Sequence, residues 1–388
     1  MESKIKIIKD VCISRIEKLY MDDRQRKSAN SRLENELELI SCNPNNIDAL
    51  YVYYKICEAG ANNGMAFFLR GSITSLLSVA LLNKTYFYID PFEWKLPIMS
   101  AIEGNNRKPL SLEINCPKGY YPVIEETLKE VFPGKTIIPL YGHTLISGEI
   151  EPHIEHHGFG VFEEGLHIDE KALKVVNGTK MLATDSELLR DEAVFKILTL
   201  ENDDLSRLVS LINDSDYEFL SDINAEKFYY YNEQMLLYSD VYEKGSRELE
   251  CLKYAHPQNI KEYVAYFAAL HASYNNEPSF EEKFSDNTYF SREDFAEAIA
   301  KSGFGDEYAY KSGIAIGRTS SKKRDELLIQ LDMDGVKKGI LDEASRVLYL
   351  MPRSHILYYA YLHYGLAFLE YKKTLSERGK AKFIGTGL

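Results

Sequence analysis

The sequence predicts an α+β protein: a mixed strand-and-helix domain over residues 1–202, then a helical domain over residues 203–378. Three observations predict it. Strand, helix and turn signals alternate as far as Asn202. Beyond that point residues 203–300 and 322–378 carry the apolar period of helices, with tyrosines on many turns. The charge also changes sign along the chain. From Lys301 to Leu388 there are 15 Lys and Arg against 10 Asp and Glu, a net of +5, while the first 300 residues carry −18. That contrast suggests an anion-facing C-terminal lobe on an acidic body, or else a solvated helical surface with surplus lysines.

In chain order, Ile5, Ile8, Cys12, Ile16 and Leu19 recur at helical spacing, and so do Leu33, Leu37 and Ile40, so residues 1–45 read as helix. Asn46 and Asp48 are cap residues for a helix from near Ala49 to about Ala59. Gly60 to Gly64 is a turn, and Met65 to Leu69 a short apolar strand. Arg70-Gly71-Ser72 leads into an apolar helix ending at Leu82. Pro109 opens a strand, LSLEI, closed by the Pro-Lys-Gly turn at 117–119. Val123 to Phe132 is an amphipathic helix behind Pro122. Thr136 to Leu140, Gly158 to Phe162 and Val194 to Leu200 read as strands. The last ten residues, from Gly379, read as a flexible tail.

A chain of 388 residues that is 45% hydrophobic and 27% charged can bury a sizeable core. The N-terminus lacks the apolar stretch of a signal peptide, and the run Ser75–Leu82 is too short to span a membrane. Five scattered cysteines (Cys12, Cys42, Cys57, Cys116, Cys251) read as reduced thiols in a cytoplasm. No phosphate-binding loop of the Walker type and no dinucleotide fingerprint is present.

Chemistry enters with F-F-L-R-G-S-I-T-S at 67–75: strand, glycine turn, helix start. Glycine allows close backbone approach, and amides at a helix start, with Arg70 and Ser72, favour phosphate. Alone, such a unit is as readily a simple tight turn. It stands in a colinear series: L-Y-V-Y-Y-K-I-C before it, Asp90-Pro91 after it, then Ser111-Leu112-Glu113-Ile114-Asn115, Gly119-Tyr120-Tyr121-Pro122, Glu155-His156-His157-Gly158-Phe159 and K-I-L-T-L-E-N-D-D-L from Lys196. Pro257, His271 and Met351-Pro352-Arg353-Ser354-His355 with Tyr359 complete it. In this order the segments resemble the catalytic core of the PolC-type (C-family) bacterial replicative DNA polymerase, the DNA polymerase III alpha subunit.

The resemblance implies a nucleotidyltransferase-like palm with a mixed sheet, then a fingers-like helical domain. The family's thumb, between about Gly142 and Glu155, is nearly absent. Its PHP, exonuclease, clamp-binding and oligonucleotide-binding regions have no counterpart in these residues. It also implies that Arg70, Gly71, Ser72, Ser75, Arg353, His355 and Tyr359 are the nucleotide-facing positions, with Tyr359 one helical turn from His355 and able to stack on a base. Leu350, Ile356 and Leu357 would equally make this face core.

Two-metal nucleotidyl transfer needs several anionic oxygens around two ions roughly 4 Å apart. The family supplies three aspartates. The same register here holds Ser111, Glu113 and Leu198, so Glu113 is the sole residual carboxylate. The expectation is a pseudo-polymerase that binds a nucleotide, a DNA end or a protein partner, and no cofactor. The alternatives are an active divergent polymerase using Mg2+ and a purely structural protein. Asp191, Glu201, Asp203 and Asp204 are the acidic residues that a shifted register could recruit. His153, His156 and His157, with Glu149, Glu151 and Glu155, are a weak metal-ligand pattern. Lys322-Lys323-Arg324 and Lys337-Lys338 are basic clusters that can meet phosphates.

Overall fold

The structure is a computed structural model that describes residues 2–98, 110, 112–144, 153–213, 236, 241–275, 279–284, 289–318 and 321–384. The chain divides into two compact units, Met1–Asp90 with Gly104–Asp222, and Pro91–Glu103 with Ile223–Leu388. The fold is mixed α+β, as the alternation of signals implies.

The first unit opens with three helices, α1 (Glu2–Leu19), α2 (Asp23–Ser41) and α3 (Pro44–Asn62). Ile8, Cys12 and Ile16, four residues apart, are fully buried on one face of α1. Asp22 caps α2 by accepting from the amides of Arg24 and Gln25. α3 begins five residues before the expected start. Asn43 is its cap, accepting from the Asn45 amide, and Pro44 stands in the first turn, where its missing N–H costs nothing. Asn46 and Asp48 are freed for other work: the Asn46 side chain accepts from the Leu110 amide at 2.7 Å, and Asp48 pairs with Lys4 at 2.8 Å.

The sheet of this unit has seven strands: β1 (Phe68–Leu69), β2 (Leu112–Cys116), β3 (Thr136–Thr144), β4 (His153–Phe162), β5 (Leu173–Val176), β6 (Thr179–Ala183) and β7 (Ala193–Glu201). Their order is β1-β2-β7-β4-β3-β6-β5. β2 lies parallel to β7, and β3 parallel to β6; the other neighbours are antiparallel. The hairpin β5–β6, turning through Asn177 and Gly178, escaped the sequence reading because Lys174, Lys180 and exposed Val175 blur its alternation. Short helices α4 (Leu77–Leu82), α5 (Tyr121–Val131), α6 (Glu187–Glu192) and α7 (Asp203–Asn213) complete the unit. A core of Ile138, Leu140, Phe162, Leu182 and Leu189 seals the far half of the sheet.

Among the described residues the second unit is helical apart from a two-stranded ribbon, β8 (Ser273–Tyr274) with β9 (Val347–Tyr349). Its helices are α8 (Arg247–Ala255), α9 (Ile260–His271), α10 (Phe280–Lys283), α11 (Arg292–Lys301), α12 (Asp306–Arg318), α13 (Ser321–Met333), α14 (Lys338–Arg346) and α15 (Arg353–Ile384). α15 continues past Gly379 to Ile384, so the helical period outlasts the expected tail boundary. Several tyrosines pack inside: Tyr263 and Tyr266 stack at 5.7 Å, and Tyr242 and Tyr263 share a hydroxyl bond of 2.7 Å, while Tyr254 and Tyr349 are exposed. Among the described residues no helix is long and apolar enough to cross a membrane.

Candidate functional site

The glycine turn follows β1 directly. Gly71 has φ 78°, the left-handed backbone that glycine adopts without strain, and a Cβ there would meet nothing within 4 Å. Conformation, not space, therefore selects glycine. Behind it the expected helix is broken. Ser72–Ser75 form one 3-10 turn, Leu76 is extended, and α4 has six residues. The first amides of α4 are already satisfied: the buried Glu36 carboxylate accepts from the Leu77 and Ser78 amides and the Ser78 hydroxyl at 2.8–2.9 Å, and from Arg32 at 3.0 Å. The anion that this helix start attracts is thus supplied by the chain itself. Ser75 is fully buried and donates its hydroxyl to the Ser72 carbonyl.

Arg70 stays closer to the expected role. Its amide donates to the Glu113 carbonyl at 2.8 Å, tying the turn to β2. Its guanidinium Nε is buried and has no acceptor among the described residues.

β2 and β7 bring two of the three family positions side by side. Glu113 is the register partner of Leu198 on the neighbouring parallel strand, so both side chains stand on one face of the sheet. Both are half-buried. Ser111 lies outside the described residues. The shifted carboxylates do not rejoin Glu113. Glu201 pairs with Cys116 three residues further on and faces the opposite side of the sheet. Asp203 opens α7 and pairs with Lys118 at 2.8 Å, and Asp191 pairs with Arg190 at 2.8 Å. Asp204 also lies on α7, beyond the strand. Among the described residues no cluster of three or more His, Cys, Asp or Glu is arranged to hold a metal ion.

Arg353, His355 and Tyr359 belong to the second unit, at the start of α15. Arg353 donates to Glu297 at 2.7 Å and to Asp294 at 2.8 Å, while its amide donates to Glu293. Burial works against its charge, yet the two carboxylates outweigh that and hold the guanidinium firmly protonated. A phosphate there competes with two acids already in place. His355 and Tyr359 stack on each other at 5.0 Å. Arg324 of the basic cluster is buried and donates to the Leu348 carbonyl, so it serves the fold. Lys323 is exposed.

A second constellation lies at the carboxyl ends of β2 and β7, where Tyr120, Tyr121, His156, Thr199, Glu201 and Asp203 line a cleft of about 450 Å3. Tyr120 is bonded to His156 Nδ1 at 2.6 Å and to Thr199 at 3.0 Å. Among the described residues His156 Nε2 is buried without a hydrogen-bond partner. The side chain of His153 lies outside the described residues; of the other two, His156 is bound to a tyrosine and His157 is packed against Gly142. Burial, with His157 beside it, pushes His156 down to about 4 from an ordinary 6.5, opposed by the Gly158 carbonyl. Between those pH values the unfolded chain takes up a proton that the folded chain refuses. The stability held above pH 6.5 therefore drains away as pH falls toward 4, by about 3 kcal/mol in all. Urea denaturation of wild type and His156→Gln across this range should show a shallower acid limb in the variant; parallel limbs would refute the assignment. The aromatic pair Tyr120-Tyr121 ahead of Pro122 is the sequence signal for this cleft, legible only once the H-H-G turn is known to fold against it.

Against protein-family models the chain gives no match, and against curated proteins it gives none.

Proposed function

We propose that the chain is a PolC-like pseudo-polymerase: a nucleotidyltransferase-type palm with a fingers-like helical region, without two-metal chemistry, that binds a nucleotide or a DNA end. The observation that carries this reading is the pairing of Glu113 with Leu198. Motifs far apart in sequence meet on adjacent parallel strands, beside a glycine turn bonded to the same strand. By the resemblance, Leu198 stands where a carboxylate would be expected, and it is an aliphatic side chain. A hydrocarbon supplies no ligand oxygen, and one carboxylate does not hold two hard cations.

The binding part of the proposal rests on Arg70, whose buried, unsatisfied Nε suits a phosphate oxygen. The exposed lysines of the C-terminal lobe add sequence-independent attraction. Glu36 at α4 and the carboxylates around Arg353 remove two of the expected phosphate grips, so the affinity for a single nucleotide is modest.

Primer extension with Mg2+ or Mn2+ on a labelled primer-template tests the first part: no added nucleotide is expected. Extension that disappears in Glu113→Ala would replace this reading with a working divergent polymerase. A thermal-shift titration tests the second. Millimolar dNTP or a primer-template should raise the melting temperature of wild type and not of Arg70→Ala. A silent titration in both would leave a structural or protein-binding role.

A further inference from the structure

A separate cleft, of about 360 Å3, opens within the second unit between the Pro91–Leu96 turn, α9 and the first turn of α15. Val264, Ala268 and Ile356 give it an apolar floor. Trp94 forms one wall. It is 9% exposed and meets Tyr361 edge-on at 6.3 Å. Its Nε1–H is buried and has no acceptor among the described residues. An indole nitrogen can only donate, and folded proteins rarely leave a buried donor unmet.

The other polar groups carry both signs: Lys95, Lys261 and Arg353 against Glu93 and Asp294, with the Ser291 side chain beside them. Lys95 is exposed, held on a left-handed backbone at φ 50°, and has no ion-pair partner among the described residues. Lys261 is 3.9 Å from Glu93, the outer limit of an ion pair, and stays 62% exposed. Arg353, the third cation of the wall, is already matched by Asp294 and Glu297. What remains for a ligand is the indole donor, the Lys95 ammonium and Lys261, whose pair with Glu93 is long, above a hydrocarbon floor.

We propose that this cleft binds a small amphipathic carboxylate, a cyclic or short acyl acid. Its carboxylate takes the Trp94 N–H and the two lysines, and its apolar body lies on Val264, Ala268 and Ile356. The proposal does not rest on the polymerase-like reading, which is carried by Glu113, Leu198 and Arg70 in the other unit; Arg353, another of its nucleotide-facing positions, lines this cleft but is held by Asp294 and Glu297. The site carries its own reporter, because Trp94 is the sole tryptophan of the chain.

The full-length protein is titrated with cyclohexanecarboxylate and, separately, with cyclohexanemethanol, which has the same skeleton without the charge. Tryptophan emission is read at the red edge, where tyrosine is silent. The acid is expected to shift the emission saturably with a half-point in the millimolar range, and the alcohol to bind at least about tenfold more weakly. The double variant Lys95→Met with Lys261→Met, altered at two exposed positions and so expected to fold, should lose about tenfold for the acid and nothing for the alcohol. Trp94→Phe, followed by calorimetry, should weaken the acid as well. Equal binding of acid and alcohol, no saturable signal from either, or an unchanged double variant overturns the proposal.

Discussion

Glu36→Leu is expected to cost about 4–5 kcal/mol of folding stability, the size seen when one partner of a buried ion pair is removed. The residue is fully buried. One carboxylate oxygen accepts from the Leu77 amide and from Arg32, the other from the amide and hydroxyl of Ser78. Leucine fills the volume but strands two helix amides and a hydroxyl, and takes from Arg32, 13% exposed, its carboxylate partner. Glu36→Gln retains the shape and one oxygen, yet turns an amide toward groups that already donate. Its cost should be smaller, about 2–3 kcal/mol. Chemical denaturation at neutral pH measures both. If Glu36→Leu were neutral, α4 would be held by packing alone, and its first amides would be open to an external phosphate. Glu36→Gln with stability intact and stronger nucleotide binding would point the same way.

The same residue shows what could and could not be read in advance. The strand-turn-helix around Arg70 was legible, because Gly71 breaks an apolar run in a way that residue types announce. Its anion was not. Glu36 lies some forty positions upstream, between Leu33 and Leu37, where a lone acid on an apolar stripe hints only that something inside must receive it. Arg353 repeats the lesson. Its charge was legible, and its partners were not, because Asp294 and Glu297 come from another helix about sixty residues earlier. Periodicity reports which face a helix buries and is blind to which face it meets. The strands β2 and β7 were easier. Their β-branched and leucine-rich runs are bounded by Pro, Gly and Asn, and the motif order alone put Glu113 and Leu198 in related places.

Gly158→Ala is the second change expected to be severe. Gly158 has φ +135°, a region closed to side chains, and lies on β4 between Leu140 and Leu198. A Cβ there would stand 2.0 Å from the Ile197 carbonyl oxygen and 2.9 Å from the Leu198 Cα. Both obstacles are backbone, and the backbone is held on two sides by strand pairing, so neither can swing aside. Strain and clash together should exceed about 4 kcal/mol, a large share of the roughly 5–15 kcal/mol that holds a domain folded. Gly165→Ala separates the two causes. Gly165 also has positive φ, at 79°, but nothing lies within 4 Å of its Cβ position, so only the conformational cost of about 1–2 kcal/mol applies. The glycine of the H-H-G segment is thus required by the close pairing of β4 with β7, whatever ligand the sheet serves, and its presence in the motif is evidence for the sheet before it is evidence for chemistry. Should Gly158→Ala melt no lower than Gly165→Ala, β4 would be free to move away from β7. The placing of Leu198 beside Glu113 would then owe nothing to this contact.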